Sequence, residues 1–298
     1  MTTPTRQKPQ LSELIYGCWR LQDTASNTQD TLAKIQTCLD HRIDSFDHAD
    51  IYGNYACESA FGKALKQNPS LKSRIKIITK CGIQIVSPAN PSIALPHYDA
   101  SKQHIISAAE RSLKNLSIDR IDVLLLHRPD FLMDASEVAD AFTTLIEQGK
   151  AKHVGVSNFS ASQFKLLQSR FDFPLVTNQL QFSVLHTAAL TDGSLDQCQE
   201  QQIQPMAWSP TAGGKLFTGK DEQSIRVRQC MEKIALQHDA SIDQIAYAWL
   251  MKHPSKPRPI LGSNQLNRII SAAQSTTIQL TTQQWYQILC ASRGHDVA

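Results

Sequence analysis

The chain has 298 residues, of which 41% are hydrophobic and 19% charged, with a net charge of +3. That is ordinary globular composition, long enough to bury a large core, and too mildly basic to point to nucleic acid. No run of Lys or Arg and no apolar stretch of membrane-spanning length is present, so neither a nucleic-acid nor a membrane partner is expected.

The N-terminal MTTPTRQKPQLSEL carries basic residues without an apolar core behind them, unlike a secretory signal. The 7 cysteines are scattered without CxxC or Cys/His ligand spacing, so no metal site or disulfide framework is expected. A reduced, cytoplasmic protein is the consistent reading.

Short apolar runs recur in chain order at 14–17 (LIYG), 42–47 (RIDSFD), 75–80 (IKIITK), 122–127 (DVLLLH), 153–158 (HVGVSN), 175–179 (LVTNQ), 204–208 (QPMAW) and 258–262 (RPILG). They do not alternate strictly, as suits strands buried on both faces of a parallel sheet. Helices fall between them. Leu32, Ile35 and Leu39 are helically spaced, as are Ile105, Ile106, Ala109, Leu113 and Leu116 over 102–116. Ser160 with Gln163, and Ser241 with Gln244, form capping-box patterns at two helix starts.

Eight strands, mostly each followed by a helix and without a break in composition, predict an α/β fold: a single (β/α)8 TIM barrel spanning 1–298. The rival doubly wound sheet would show GxGxxG after its first strand, and none is present. Two connections are long, residues 82–100 and 210–222. Both follow strands and so belong at the C-terminal face, where barrels carry their chemistry.

Asp47, Tyr52, Lys80 and His127 stand at or just beyond the ends of consecutive predicted strands. Neighbouring parallel strands lie ~4.8 Å apart, so these side chains can converge. A phenol of pKa about 10 is a poor acid at neutral pH. An ammonium from Lys80 lowers that pKa, and Asp47 keeps the amine charged and in place. A neutral His127 can orient a carbonyl oxygen. Taken singly, each has a duller reading, such as a capped loop, a solvated lysine or a hydrogen-bonded loop histidine. It is the set, in this order, that points to a proton-donating site. A Schiff-base role for Lys80 is disfavoured, because pairing with Asp47 raises the amine pKa.

The motifs DSFDHADIYG, ITKCG, LLLHRPD, GVSNF, TNQLQFS, AWSPTAGGKLF and PILGSNQLNRI resemble those of the aldo-keto reductases, in this order and over nearly the whole chain. Within the family the chain looks most like a bacterial oxidoreductase branch. The resemblance implies a TIM barrel, NADPH bound without a Rossmann domain, and reduction of aldehydes or ketones. It implies Tyr52 as proton donor, tuned by Lys80 and Asp47, with His127 positioning the carbonyl.

It also implies that Ser157, Asn158 and Gln179 hold the nicotinamide carboxamide, with Trp208 stacking on the ring. The stretch Ser209, Pro210, Gly213, Gly214, Lys215 and Leu216 then meets the pyrophosphate. Gly262, Ser263, Gln265 and Arg268 meet the adenosine 2′-phosphate at a helix start. Ser271 and Ala272 stand where relatives often place a Glu/Asn pair for adenine. Arg268 favours NADPH over NADH.

Trp19 is expected to wall the substrate pocket, together with His127 and the 82–100 loop with its His97 and Tyr98. Arg20 and Arg128 leave an anionic substrate open. An alternative reading is an NADPH-binding sensor with slow turnover, although no obligatory protein partner is legible.

Overall fold

In a computed structural model, residues 8–23 and 27–298 are described. Residues 1–7 of the N-terminal stretch lie outside them. Eight parallel strands close a barrel: β1 (Ile15–Gly17), β2 (Ser45–Asp47), β3 (Lys76–Cys81), β6 (Ile121–Leu126), β7 (Ala151–Ser157), β8 (Asn178–Gln181), β9 (Met206–Trp208) and β10 (Arg258–Leu261). Two further short strands, β4 (Ile83–Gln84) and β5 (His97–Tyr98), pair antiparallel in the connection after β3. The expected TIM barrel is therefore the fold.

The capping expectations hold at the backbone. Ser160 and Ser241 each complete a capping box, opening helices Ala161–Gln168 and Ile242–Lys252. The helix Lys102–Leu116 begins after Ser101, whose side chain accepts from His104 N. The strand bounds shift by a few residues, most in the sixth, at 178–181 rather than 175–179, and the long 82–100 connection carries the β4–β5 pair. In the latter case apolar runs shorter than four residues left no periodicity to read.

Alternation along the strands decides which side chains enter the barrel. Ile15, Ile78, Val123, Leu125, Met206 and Ile260 form one buried cluster inside it. Leu124, Leu126 and Cys81 point the other way, into a second cluster under the outer helices. Two residues on from this inner layer come Gly17, Lys80, His127 and Trp208, and in β2 Asp47 follows Ser45 by the same step. Asp47, Lys80, His127 and Trp208 thus form the top layer of the barrel interior, at the C-terminal ends of their strands.

The outer helices hold this frame by close approach. Gly62, in helix Cys57–Gln67, lies so near helix Lys102–Leu116 that a Cβ would sit 1.9 Å from Asn115 O. On the opposite side, Trp249 and Trp285 stack with ring centroids 4.9 Å apart, and each indole N–H donates to the other's backbone carbonyl at 3.0 Å. That reciprocal pair docks helix Thr282–Arg293 onto helix Ile242–Lys252, whose N-terminal end borders the cavity described below.

Gly62→Ala is expected to lower stability by on the order of 3 kcal/mol, the upper range for overpacking. Urea denaturation measures it. A loss below about 0.5 kcal/mol, within the range of ordinary surface substitutions, would contradict the close helix contact.

Candidate active site

Lys80 is completely buried, at 0% exposure. Its ammonium has three protons and three acceptors: Asp47 Oδ2 at 2.7 Å, His48 O at 2.8 Å and Tyr52 OH at 3.0 Å. Burial alone would push the Lys80 pKa down, but Asp47 and Tyr52 outweigh it and the net direction is up. The amine is held charged, opposite to what a Schiff-base nucleophile needs. The second oxygen of Asp47, Oδ1, accepts from Gln179 Nε2 at 2.8 Å, a bond that crosses the barrel.

Tyr52 behaves differently from expectation. Burial is the largest influence and raises its pKa; Lys80 offsets part of this, and Asp47 adds to the rise. The net effect is upward, where the sequence suggested a lowered phenol. The first reason is burial, which penalises the phenolate; the second is that Asp47, paired with Lys80, partly cancels its field at the phenol.

His127 is pushed well below its ordinary value, first by burial and then by Lys80 and Arg128, so its imidazole is neutral. Its Nδ1 is buried without a partner, which leaves Nε2 as the ring nitrogen open to the cavity. Its ring meets Tyr52 edge-on, with centroids 5.9 Å apart.

Beyond Tyr52 the backbone runs through three left-handed residues, Gly53, Asn54 and Tyr55 (φ 57°, 53° and 69°). Non-glycine residues there are strained, and such strain concentrates at functional sites. Asn158 (φ 61°) and Ser209 (φ 51°) share this conformation directly after β7 and β9.

Asn158 is tied on both sides. Its Nδ2 donates to Ser157 Oγ at 2.8 Å and to His127 O at 3.3 Å, and its Oδ1 accepts from Trp208 Nε1 at 2.9 Å. Ser157 Oγ in turn donates to Gln179 O at 3.0 Å. The strand ends therefore form one connected polar ring.

A cavity of about 960 Å³ opens above this ring. Asp47, Tyr52, His127, Ser157, Asn158, Gln179, Trp208, Ser209, Pro210, Gly213, Gly214, Gly262, Ser263, Gln265, Arg268 and Trp19 all line it. Trp19 is 59% exposed at the rim. Lys80 lies just beneath, reaching the cavity through Tyr52.

Two residues expected here stand elsewhere. Leu216 is fully buried among Val227, Ala246 and Trp249, because it anchors the loop into the outer core. Lys215 turns to Asp221, at 3.3 Å, and does not border the cavity. The 82–100 connection does not line it either. His97 and Tyr98 are exposed, and Tyr98 approaches Phe131 instead, at 6.4 Å between centroids.

Several lining residues escaped the sequence reading: Asp243 and Tyr247 from helix Ile242–Lys252, and Asn264 and Asn267 near the start of helix Leu266–Gln274. The Ser241/Gln244 box marked the first of these helix starts, but nothing in the sequence aimed it at the cavity. Tyr16 OH donates to Asn264 Oδ1 at 2.9 Å, and Asn264 Nδ2 donates to Arg20 O at 2.5 Å, clasping the loops after β1 and β10.

The Aldo/keto reductase family matches residues 13–291, and the chain belongs to that family. It is an oxidoreductase of the kind that uses a nicotinamide cofactor. Oxidoreductase YdhF of Escherichia coli is 46% identical over 292 residues, covering 98% of this chain and 97% of the relative. A protein of Agrobacterium fabrum named 6-dehydroglucose reductase is 40% identical, with 98% and 97% covered. The crystal structure of the thermostable aldo-keto reductase Tm1743, with the inhibitor epalrestat, superposes with TM-score 0.80 at 22% identity, covering 96% of this chain and 98% of that one; this likeness bears on fold.

Beneath the site, Asp50 is buried and its carboxyl is pushed up to about 8, first by burial and then by Glu58. An unfolded Asp ionises near 3.8. Between these values the folded chain keeps a proton that the unfolded chain releases, so stability falls as pH rises from about 4 to about 8. Asp50→Asn removes that slope. Its melting temperature relative to the parent protein is expected to be several degrees more favourable at pH 8.5 than at pH 4.5. An equal difference at both pH values would contradict the account.

Proposed function

We propose that this protein reduces an aldehyde or ketone to an alcohol using NADPH, with Tyr52 as the proton donor. The observation that supports it most is the Lys80 ammonium, bonded at once to Asp47 and to the Tyr52 hydroxyl, with that hydroxyl opening on the cavity lined by His127.

A nicotinamide dinucleotide suits the residues present. The cavity extends from the strand ends to the start of helix Leu266–Gln274. A Cβ at Gly213, Gly214 or Gly262 would meet nothing within 4 Å, so the backbone there borders open space. Ser157, Asn158 and Gln179 would hold the carboxamide, with Trp208 against the ring. Ser209, Pro210, Gly213 and Gly214 would border the pyrophosphate, and Gly262, Ser263, Gln265 and Arg268 the adenosine phosphate. Bound and reduced, the nicotinamide supplies hydride to the carbonyl carbon.

The protein's own groups handle the oxygen. His127 donates from neutral Nε2 to the carbonyl oxygen and orients it. Tyr52 rests as a phenol, as any tyrosine of ordinary pKa does at neutral pH, and burial raises its pKa further, so it holds a proton to give. As negative charge builds on the oxygen, that proton transfers from the Tyr52 hydroxyl. The resulting phenolate lies 3.0 Å from the Lys80 ammonium, which stabilises it. By stabilising that phenolate Lys80 makes the proton easier to give, offsetting part of the rise that burial causes. Asp47 keeps Lys80 charged through the cycle. The relative named 6-dehydroglucose reductase supports a carbonyl as the oxidised partner. The reading places the enzyme in the cytoplasm.

Tyr52→Phe is expected to lower kcat about 10²-fold or more, the size of a lost general acid, while NADPH binding followed by fluorescence survives. Full activity in that variant would refute Tyr52 as donor. Arg268→Ala is expected to raise the Kd for NADPH about tenfold and the Kd for NADH much less. Equal losses for both would remove the 2′-phosphate contact.

A further inference from the structure

Arg128 follows His127 directly and lines the same cavity as Tyr52 and Trp208. Its guanidinium carbon lies 5.7 Å from the centroid of the Trp208 ring. The indole beneath it is fixed by the bond from Nε1 to Asn158 Oδ1. Arg128 is half-buried, and among the described residues no carboxylate pairs with it.

The other charged groups at the cavity are accounted for, Asp243 at the far end accepting from Ser241 Oγ at 2.5 Å. Arg20 has Asp23 at 3.9 Å. Both oxygens of Asp47 are taken, by Lys80 and Gln179. Arg268 belongs to the far end, on helix Leu266–Gln274. Arg128 is thus a cation beside the reacting end, laid on a rigid aromatic platform with no counter-ion. A partly desolvated charge gains from a partner of opposite sign, and the planar guanidinium fork matches a carboxylate in two parallel hydrogen bonds. Stacking on the indole restrains the fork beforehand, so less freedom is lost when a ligand is bound.

We infer that Arg128 is a specificity residue that recognises a carboxylate on the substrate, so the preferred substrates are aldehydes or ketones bearing a carboxylate near the reacting carbonyl. This rests on the reductase reading above. The neutral His127 beside it stays free to orient the carbonyl oxygen, while Arg128 fixes the other end of the same small molecule.

The test compares matched aldehydes with and without the charge: glyoxylate against acetaldehyde, and succinate semialdehyde against butanal. The parent enzyme is expected to prefer the carboxylated member in kcat/KM. Arg128→Gln is expected to lower that preference about 10- to 100-fold, mainly through KM, the range for losing charge-assisted hydrogen bonds. Arg128→Lys, keeping the charge without the fork, should fall between. A parent enzyme that prefers the uncharged members, or a preference unchanged in Arg128→Gln, overturns the inference and leaves the reductase reading standing.

A second measurement needs no turnover. Butyrate binding to the enzyme with NADP+, followed by tryptophan fluorescence, is expected to weaken at least tenfold in Arg128→Gln. Butyrate binding that depends on Arg128 in a protein that turns over no carbonyl would uphold the anion site and refute the reductase reading. Binding equal in both proteins, or undetectable in the parent, overturns the anion site.

Discussion

The buried ion pair between Lys80 and Asp47 is the constraint on which the site depends. A fully buried amine is tolerated only if its charge is matched and its protons are used, and both conditions are met here. Removing one partner from such a pair typically costs about 3–5 kcal/mol, because the other charge is left stranded. The pair therefore fixes where β2 and β3 end relative to one another, and with them the hydroxyl of Tyr52. Through Gln179 it also reaches across the barrel to β8. The half of the cavity proposed to move a proton and the half proposed to hold a dinucleotide share this polar contact.

Burial, more than this pair, explains why the resting tyrosine is not acidic. A lysine already neutralised by Asp47 cannot dominate its neighbour's titration, and burial decides the direction instead. In the proposed mechanism Lys80 stabilises the charge that moves onto the phenol oxygen, so the site favours the product of proton transfer, as expected when stabilisation is aimed at developing charge.

Much of this was legible in the sequence because barrel geometry is periodic. Short buried runs with helices between them imply a closed parallel sheet. Within such a sheet the last inward residue of each strand must face the mouth, so Asp47, Lys80, His127 and Trp208 could be placed from the chain alone. What escaped has physical causes. Leu216 sits beside Gly214 in a glycine-rich loop, but an apolar side chain there is drawn into the core between helices. Tyr98 lies in a two-residue strand too short to show alternation, and it turns toward Phe131 instead of the cavity. Asp243 and Tyr247 enter the site from a second helix inserted between β9 and β10, a tertiary placement with no local signature. The upward shift of Tyr52 depends on burial and on competition between Lys80 and Asp47, neither of which spacing reveals.

A double-mutant cycle on Lys80 and Asp47 tests the central claim most directly. If the two act as one unit, Lys80→Met and Asp47→Asn each lower kcat strongly, and the double variant is no slower than the worse single by more than about threefold. Single effects that simply multiply in the double variant would show that the two residues act independently, and would contradict the account.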